Sequence, residues 1–120
     1  MLFNTGTDVA VSMALKSITT PIALELSQLL NGIDSITALA IIIAGISGGL
    51  MGPAWLRLLG VTNAKAQGLA IGAGSHVFGT AAISKLSAEH GAYGAIALIL
   101  CAFFTALISP VLIPYLMLFF

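Results

Sequence analysis

The fold of this chain is decided by two polar stretches, Ser17-Ile18-Thr19-Thr20-Pro21 and Gly72-Ala73-Gly74-Ser75-His76. Each interrupts a segment that is otherwise hydrophobic enough to lie in a lipid bilayer. Because lipid cannot hydrogen-bond freed backbone groups, a broken helix persists there only where protein or a water-filled cavity surrounds it. Two such breaks in one small membrane chain therefore point to a solute-binding site.

The composition is that of a membrane protein. Hydrophobic residues make up 59% of the chain and charged residues 7%, with a mean hydropathy of +1.13. A typical soluble domain has about a quarter of its residues charged. The formal net charge of zero argues against nucleic-acid binding, which calls for a basic surface. The sequence has no P-loop, HExxH, GxSxG or carboxylate pair, so we expect neither an enzyme nor a bound metal or cofactor.

The hydropathy pattern predicts a single all-α, polytopic membrane domain over residues 1–120 with about four membrane segments. They are a broken segment 9–30, a straight segment 36–56, a broken segment 66–84 and a straight segment 91–113. The segment 36–56 has no charged residue and exceeds the ~20 residues needed to cross a bilayer. Its glycines, Gly45, Gly48, Gly49 and Gly52, predict close packing against another helix. Pro110 and Pro114 are expected to end or kink the last segment, leaving residues 115–120 as an interfacial tail.

The two broken segments carry different helix signals. In the first, Thr20 is expected to be an N-cap with Pro21 as the first helical residue, and Asn31-Gly32 is expected to end that helix. In the second, small and polar residues recur at every fourth position. A single helix would align these residues in one stripe facing protein or a cavity: Gly68, Gly72, His76, Thr80 and Ser84.

The loop charges give an orientation. Arg57 and Lys65 make the one loop with a positive excess, which predicts that this loop is cytoplasmic. Four crossings would then place both chain termini on the same, cytoplasmic side.

Lys16 and His76 are the ionisable residues of the broken segments that could most readily bind a solute or carry a proton. On a continuous helix, Lys16 would share a face with Thr20 and Ser27 and could contact an anion at the amino end of the second half-helix. Alternatively Lys16 snorkels to an interface or is neutralised by Glu25. His76 could donate to a carboxylate, carry a coupled proton, or make an ordinary interhelical hydrogen bond.

Two blocks of the sequence resemble the LrgB/CidB family. They are Lys16-Ser17-Ile18-Thr19-Thr20-Pro21-Ile22-Ala23 and Gly68-Leu69-Ala70-Ile71-Gly72-Ala73-Gly74-Ser75-His76-Val77-Phe78-Gly79-Thr80-Ala81. The resemblance runs from about Ala14 onward and includes Glu89-His90-Gly91-Ala92-Tyr93 and Ser109-Pro110. Family members are typically about twice as long, so the chain resembles their C-terminal half.

The resemblance implies a multi-pass protein of the cell (inner) membrane, part of an inverted-repeat transporter. Family members are described as antiholin-like and linked to murein hydrolase control, while plastid relatives resemble glycolate/glycerate carriers and bacterial ones are associated with pyruvate. Our preferred function is passage of such small monocarboxylates, coupled to H⁺ or Na⁺ if it is coupled at all. The breaks indicate the solute-binding residues Lys16, Thr19, Thr20, Ser75, His76 and Thr80. They also indicate the helix-breaking or structural residues Pro21, Gly72, Gly74 and Gly79.

The rival hypothesis is an antiholin-like regulator that acts through membrane helix contacts. A third is a non-functional remnant of a longer protein. The partners expected from the sequence are the lipid bilayer, a small carboxylate solute, and a protein companion. That companion would be a second copy, a separate N-terminal half, or an LrgA/holin-like protein.

Overall fold

The computed structural model describes residues 6–118, apart from the side chain of Met117. These residues form helices only, in the order α1 (Thr7–Ala14), α2 (Thr20–Leu29), α3 (Asp34–Leu58), α4 (Ala64–Ser84) and α5 (Ala88–Met117). Of these, α3 and α5 are long and apolar enough to cross a membrane by length and composition. Both breaks expected from the sequence are present, one between α1 and α2 and one within α4.

The helices α1 and α2 fold back on each other and form what we call the first hairpin, residues 7–29. The backbone N–H of Ile33, just beyond α2, donates to Ser12 Oγ in α1 at 2.7 Å. A straight helix would separate these two residues by about 31 Å. The chain therefore reverses in residues 15–19 and returns to the end of the bundle from which α1 started, where α3 begins.

The helix α4 also reverses, at His76, and forms the second hairpin with arms 64–75 and 77–84. His76 has φ 37° and ψ −128°, which no helix accommodates. A side-chain carbon placed on Gly94 of α5 would lie 3.1 Å from Thr80 Cγ2 and 3.5 Å from Gly68 O. Gly68 and Thr80 would be about 18 Å apart along a straight helix. Both arms of the second hairpin consequently open toward the end of the bundle where α3 ends.

The hairpins enter the bundle from opposite ends and the long helices join them. Gln28 at the open end of the first hairpin donates to Asp34 at the start of α3 (Nε2–Oδ2 2.9 Å). At the other end, Gln67 in the second hairpin donates to Val61 O just after α3 (2.6 Å). The order along the chain is hairpin, long helix, hairpin, long helix.

Glycines, which have no side chain, let the second hairpin pack closely against its neighbours. Added side-chain carbons at Gly48 and Gly52 of α3 would collide with the side chains of Ser75 and Ile71. One at Gly72 would overlap the backbone of Gly94, with Gly94 Cα only 2.7 Å away. The first hairpin instead packs through larger apolar groups on α3 and the distal half of α5. This core comprises Val11, Leu15, Ile18, Ala23, Leu26, Ile41, Ala102 and Ile113.

The hairpins correct the expected topology. Segments 9–30 and 66–84 do not cross the bundle as straight or bent spans, because each returns to the end at which it entered. The helix α1 therefore begins, and α5 finishes, at the end opposite Arg57 and Lys65, not at the same end as expected. The predicted stripe at every fourth residue is likewise interrupted, since His76 reverses the chain in its middle.

Two local expectations were also wrong. The N-cap of α2 is Thr19, without a side-chain cap bond, and Thr20 is already helical, so Pro21 lies one residue further in than predicted. Of the expected end or kink at Pro110 and Pro114, the end is wrong, because both prolines lie inside α5, which continues to Met117. Ser109 and Ile113, beside the two prolines, are buried and anchor the helix across them. Of the tail expected at 115–120, residues 119 and 120 lie outside the described residues.

Candidate functional site

The reversals of the two hairpins meet near the middle of the bundle. His76 Nε2 donates to the backbone carbonyl of Lys16 at 3.0 Å, across 60 residues of sequence. A carbonyl can only accept, so the ring proton is on Nε2 of this histidine. A side-chain carbon added to Gly45, close to the midpoint of α3, would lie 3.2 Å from His76 Cε1. The contact between the hairpin tips is therefore at mid-height of α3.

His76 is held firmly in this position. Its side chain is 1% exposed, and its positive φ is unusual for a residue with a side chain. Backbone conformations of this kind persist where the surroundings enforce them, often at functional sites. The ring packs toward Gly45, and the following residues place Phe78 against the same glycine. The tip contact is thus part of the packed core.

Lys16 contributes its backbone to the contact, while its side chain remains exposed. The ammonium is 3.5 Å from Ser17 Oγ, which accepts from it. Lys16 belongs to the connection between α1 and α2, so it does not share a helix face with Thr20 and Ser27. Within residues 6–118 the structure has one ion pair, Lys65–Glu89 at 4.0 Å. The alternative in which Glu25 neutralises Lys16 is therefore wrong.

The other predicted solute-binding residues are dispersed around the tips. Thr19 and Thr20 begin α2 and are half-buried. Ser75 is 4% exposed and its side chain packs on Gly48 of α3. Thr80 faces Gly94 of α5, and its Oγ1 is buried without a hydrogen-bond partner. The structure brings Lys16 and His76 together and directs Ser75 and Thr80 toward the two long helices.

The residues predicted to be structural also differ in their surroundings. Pro21 is exposed in the first turn of α2. Gly72 and Gly79 are buried, and a carbon added to Gly79 would lie 2.8 Å from Ile71 Cγ2 in the opposite arm. Gly74 is exposed, and nothing lies within 4 Å of a carbon added there.

Sequence reasoning missed a buried set of hydroxyl groups that closes the first hairpin. Ser12 Oγ donates to Asp8 O (2.6 Å) while it accepts from Ile33 N–H, and Thr37 Oγ1 donates to Ser27 Oγ (3.1 Å). Ser12, Ser27 and Thr37 are each 0% exposed. The bond from Ile33 to Ser12 fastens α1 to the start of α3, and the bond from Thr37 to Ser27 fastens α2 to α3. Its members occur singly within apolar stretches, so the sequence offered no pattern to find them.

The open end of the second hairpin is fastened by a polar chain. His90 Nε2 donates to Gln67 Oε1 (3.0 Å), and His90 Nδ1 is 2.7 Å from Ser87 Oγ. Lys65 lies 5.6 Å from the ring centroid of Tyr93, in addition to its ion pair with Glu89. These contacts hold the first arm of the second hairpin to the start of α5.

The sequence of this chain matches the model of the LrgB-like family over residues 1–115. The chain belongs to the LrgB-like family. Together with its two apolar long helices, this makes it a membrane protein. The resemblance to the LrgB/CidB family, which rested on the sequence blocks beginning at Lys16 and Gly68, is confirmed.

Several curated proteins are similar to this LrgB-like chain. The holin-like protein CidB of Staphylococcus epidermidis (strain RP62A) is 43% identical over 119 residues, which cover 99% of this chain and 50% of that protein. CidB of Staphylococcus aureus (strain Mu50) is 41% identical over 98% of this chain and 50% of its own length. An uncharacterized protein of Haemophilus influenzae is 34% identical over 92% of this chain and 48% of its own length. The LrgB-like chain therefore spans about half the length of these relatives. No solved structure matches it.

Proposed function

We propose that this LrgB-like chain forms part of a carrier for small monocarboxylates of the glycolate, glycerate or pyruvate type. The observation that carries the proposal is the meeting of two re-entrant hairpins, with His76 Nε2 on Lys16 O at mid-height of α3. Non-helical backbone at that depth is tolerated where protein or a water-filled cavity surrounds it. Discontinuous helices near the bilayer midplane are how many secondary transporters build their solute sites.

The arrangement of the two halves of the chain supports alternating access. Residues 7–58 and 64–117 each consist of a hairpin followed by a long helix, and their hairpins enter from opposite ends. This arrangement supports an inverted repeat within the chain itself, whereas the sequence had led us to expect one half of an inverted-repeat transporter. Carriers of this type expose a central site to one side and then the other by moving one repeat against the other. The contact between His76 and Lys16 would then be the point at which the two repeats separate.

The anion would be held by the exposed side of the first hairpin tip. An ionised lysine at the centre of a bilayer costs at least ~2.5 kcal/mol on insertion scales, and such residues commonly mark solute pathways. Lys16 is exposed and has no acidic partner among the described residues, so a carboxylate solute would satisfy it. The amino end of α2 at Thr19 and Thr20 would add backbone donors. In this proposal His76 holds the tips together, while Ser75 and Thr80 shape the second hairpin.

We further propose that the chain lies in the cell (inner) membrane with the Leu58 end of α3 in the cytoplasm. Arg57, Lys65 and Lys85 lie at that end, whereas Asp8 and Asp34 lie at the other. Such a bias in lysine and arginine is what orients membrane proteins. The driving force would be a gradient of the solute, of H⁺ or of Na⁺. A second copy of the chain or a separate protein equivalent to the rest of the relatives' length would complete the carrier.

Uptake into proteoliposomes tests this function. We expect saturable accumulation of ¹⁴C-labelled pyruvate or glycolate, either by this chain alone or together with a protein supplying the remaining length of its relatives. Protein-free liposomes are the control for leakage, and imposed H⁺ or Na⁺ gradients identify the coupling ion. An inserted protein that gives no saturable uptake in either arrangement would exclude the monocarboxylate function.

The relatives from Staphylococcus are called holin-like proteins, which favours a second candidate function, a regulator of murein hydrolase activity acting through membrane helix contacts. The glycines of α3, which were expected to pack against another helix, contact the second hairpin of the same chain and so are not free to bind a partner. A regulator would therefore use the outer, apolar faces of α3 and α5. If the chain changes the rate of autolysis, and the same change is seen when Lys16 is replaced, the regulator is supported over the carrier.

A further inference from the structure

The two hairpins are held to the long helices in different ways. The second hairpin meets both helices at the backbone. A side-chain carbon added to Gly72 would lie 2.7 Å from Gly94 Cα in α5, and one added to Gly49 of α3 would lie 3.4 Å from Phe78 O. Contacts of this kind leave no flexible side chain to repack, so a shift of the hairpin would separate the main chains or make them overlap. The second hairpin, α3 and α5 are therefore expected to move as one body.

The first hairpin is bonded to α3 at one level only. Within residues 6–118, the side-chain hydrogen bonds that join the two all end on the beginning of α3, at Ile33, Asp34 and Thr37. The tip of the hairpin is level with Gly45, about 12 Å further along that helix than Thr37. At this level a single hydrogen bond, from His76 to the Lys16 carbonyl, joins the first hairpin to the second.

Open grooves flank the first hairpin near its tip. One, of about 320 Å³, separates Met13 and Lys16 from residues 36–44 of α3. The other, of about 300 Å³, separates Ala14 from residues 104–116 of α5. Protein interiors are close-packed, so an element with space on two sides can shift by repacking only the apolar side chains on its inner face. The hairpin has this space at the level where one bond holds it.

We infer that the first hairpin is the moving gate of the proposed carrier, hinged at the start of α3 and latched at its tip by His76. This inference rests on the proposed carrier function and names the part of the repeat 7–58 that moves. The hinge is firm because Ser12, Ser27 and Thr37 are fully buried and bonded to protein. Opening frees the ring N–H of His76 from a neutral carbonyl. A solute carboxylate would accept a stronger, charge-assisted bond from it.

Distances between spin labels, measured by pulsed electron paramagnetic resonance in nanodiscs, detect this movement without transport. In a Cys101→Ala background, Ala14→Cys near the first tip is paired with Leu58→Cys at the end of α3. The matched pair joins Gly74→Cys, near the second tip, to the same Leu58→Cys. All three labelled positions are exposed. The first pair reports on the gate and the second pair on the body that is expected to stay fixed.

Loss of the latch should move the first hairpin alone. His76→Gly lacks the donor, and glycine readily adopts the positive φ of this position. We expect this variant to raise the population of displaced 14–58 distances roughly two- to tenfold, as for the loss of one hydrogen bond. The 74–58 distances should stay unchanged. Unchanged 14–58 distances, or an equal change in both pairs, would overturn the inference.

A disulfide tests the fixed body independently of His76. Cysteines at Gly49→Cys and Ala82→Cys would have their Cβ atoms 3.7 Å apart, within the range of about 3.5–4.5 Å for disulfides, and would tie α3 to the second hairpin. In the Cys101→Ala background, the oxidised protein should take up pyruvate as the reduced protein does. Uptake that is lost on oxidation and restored by reduction would overturn the inference. Absence of uptake from oxidised, reduced and unmodified protein alike would remove the carrier proposal, while the spin-label distances still decide whether the first hairpin moves.

Discussion

Lys16→Met is expected to lower the efficiency of saturable monocarboxylate uptake by about 10- to 100-fold. The physical reason is the loss of charge-assisted hydrogen bonds to the carboxylate, each worth about 1.5–3 kcal/mol. The Lys16 carbonyl that accepts from His76 belongs to the backbone and remains in the variant. Methionine also removes a charge from the middle of the bundle. The folded state should therefore be at least as stable, so misfolding cannot account for the loss.

Lys85→Met is the matched control for this experiment. Lys85 is exposed and caps the end of the second hairpin, away from the tips. The control removes the same charge and should leave uptake near the wild-type rate. Lys16→Arg keeps the charge with a different geometry and should retain part of the activity. Normal uptake by Lys16→Met would show that the anion binds elsewhere.

The second large effect is expected from Gly72→Leu, which should disrupt the packing of the second hairpin on α5 and destabilise the fold. A side-chain carbon at Gly72 meets the backbone of Gly94, which cannot rotate away as a flexible side chain can. Overpacking commonly costs 1–3 kcal/mol, and a backbone overlap belongs at or above the upper end of that range. We expect a loss of about 3 kcal/mol or more in the free energy of unfolding, seen as a lower Tm in detergent and reduced yield.

Gly74→Leu provides the comparison two residues away. Gly74 is exposed, with nothing within 4 Å of an added carbon, and lies in the same arm. Leucine is a better helix former than glycine, so this variant should have an unchanged or slightly higher Tm. If the two variants lost stability equally, the two arms would not pack on α5 as described.

Much of the architecture could be predicted from local sequence signals. Pro21 interrupts the first segment because it lacks an N–H, and the uncharged run 36–56 falls within α3. The reversal of α4 could not be predicted in the same way. Small residues at every fourth position from Gly68 to Ser84 are equally compatible with one straight helix. One non-glycine residue, His76, makes the reversal, and the contacts that stabilise it are distant in sequence.

The candidate site shows the same division between local and tertiary information. Lys16 and His76 were singled out because ionisable groups are unusual in apolar segments, and the structure brings them together. Their contact joins the His76 side chain to the Lys16 backbone carbonyl, and a contact with a backbone group cannot be predicted from the type of residue that carries it. Sequence reasoning also grouped Ser75 with His76 at the second break and placed Thr80 on one stripe with His76. The fold instead directs Ser75 to α3 and Thr80 to α5.

The central claim is that the chain re-enters the membrane in hairpins from opposite sides, and cysteine labelling tests it most directly. In a Cys101→Ala background, Thr62→Cys and Lys85→Cys flank the second hairpin, while Leu29→Cys lies at the open end of the first. A membrane-impermeant maleimide is applied to intact and to opened spheroplasts. We predict that positions 62 and 85 are labelled from the same side and position 29 from the other. Labelling of 62 and 85 from opposite sides would mean that α4 crosses the membrane, contradicting the account.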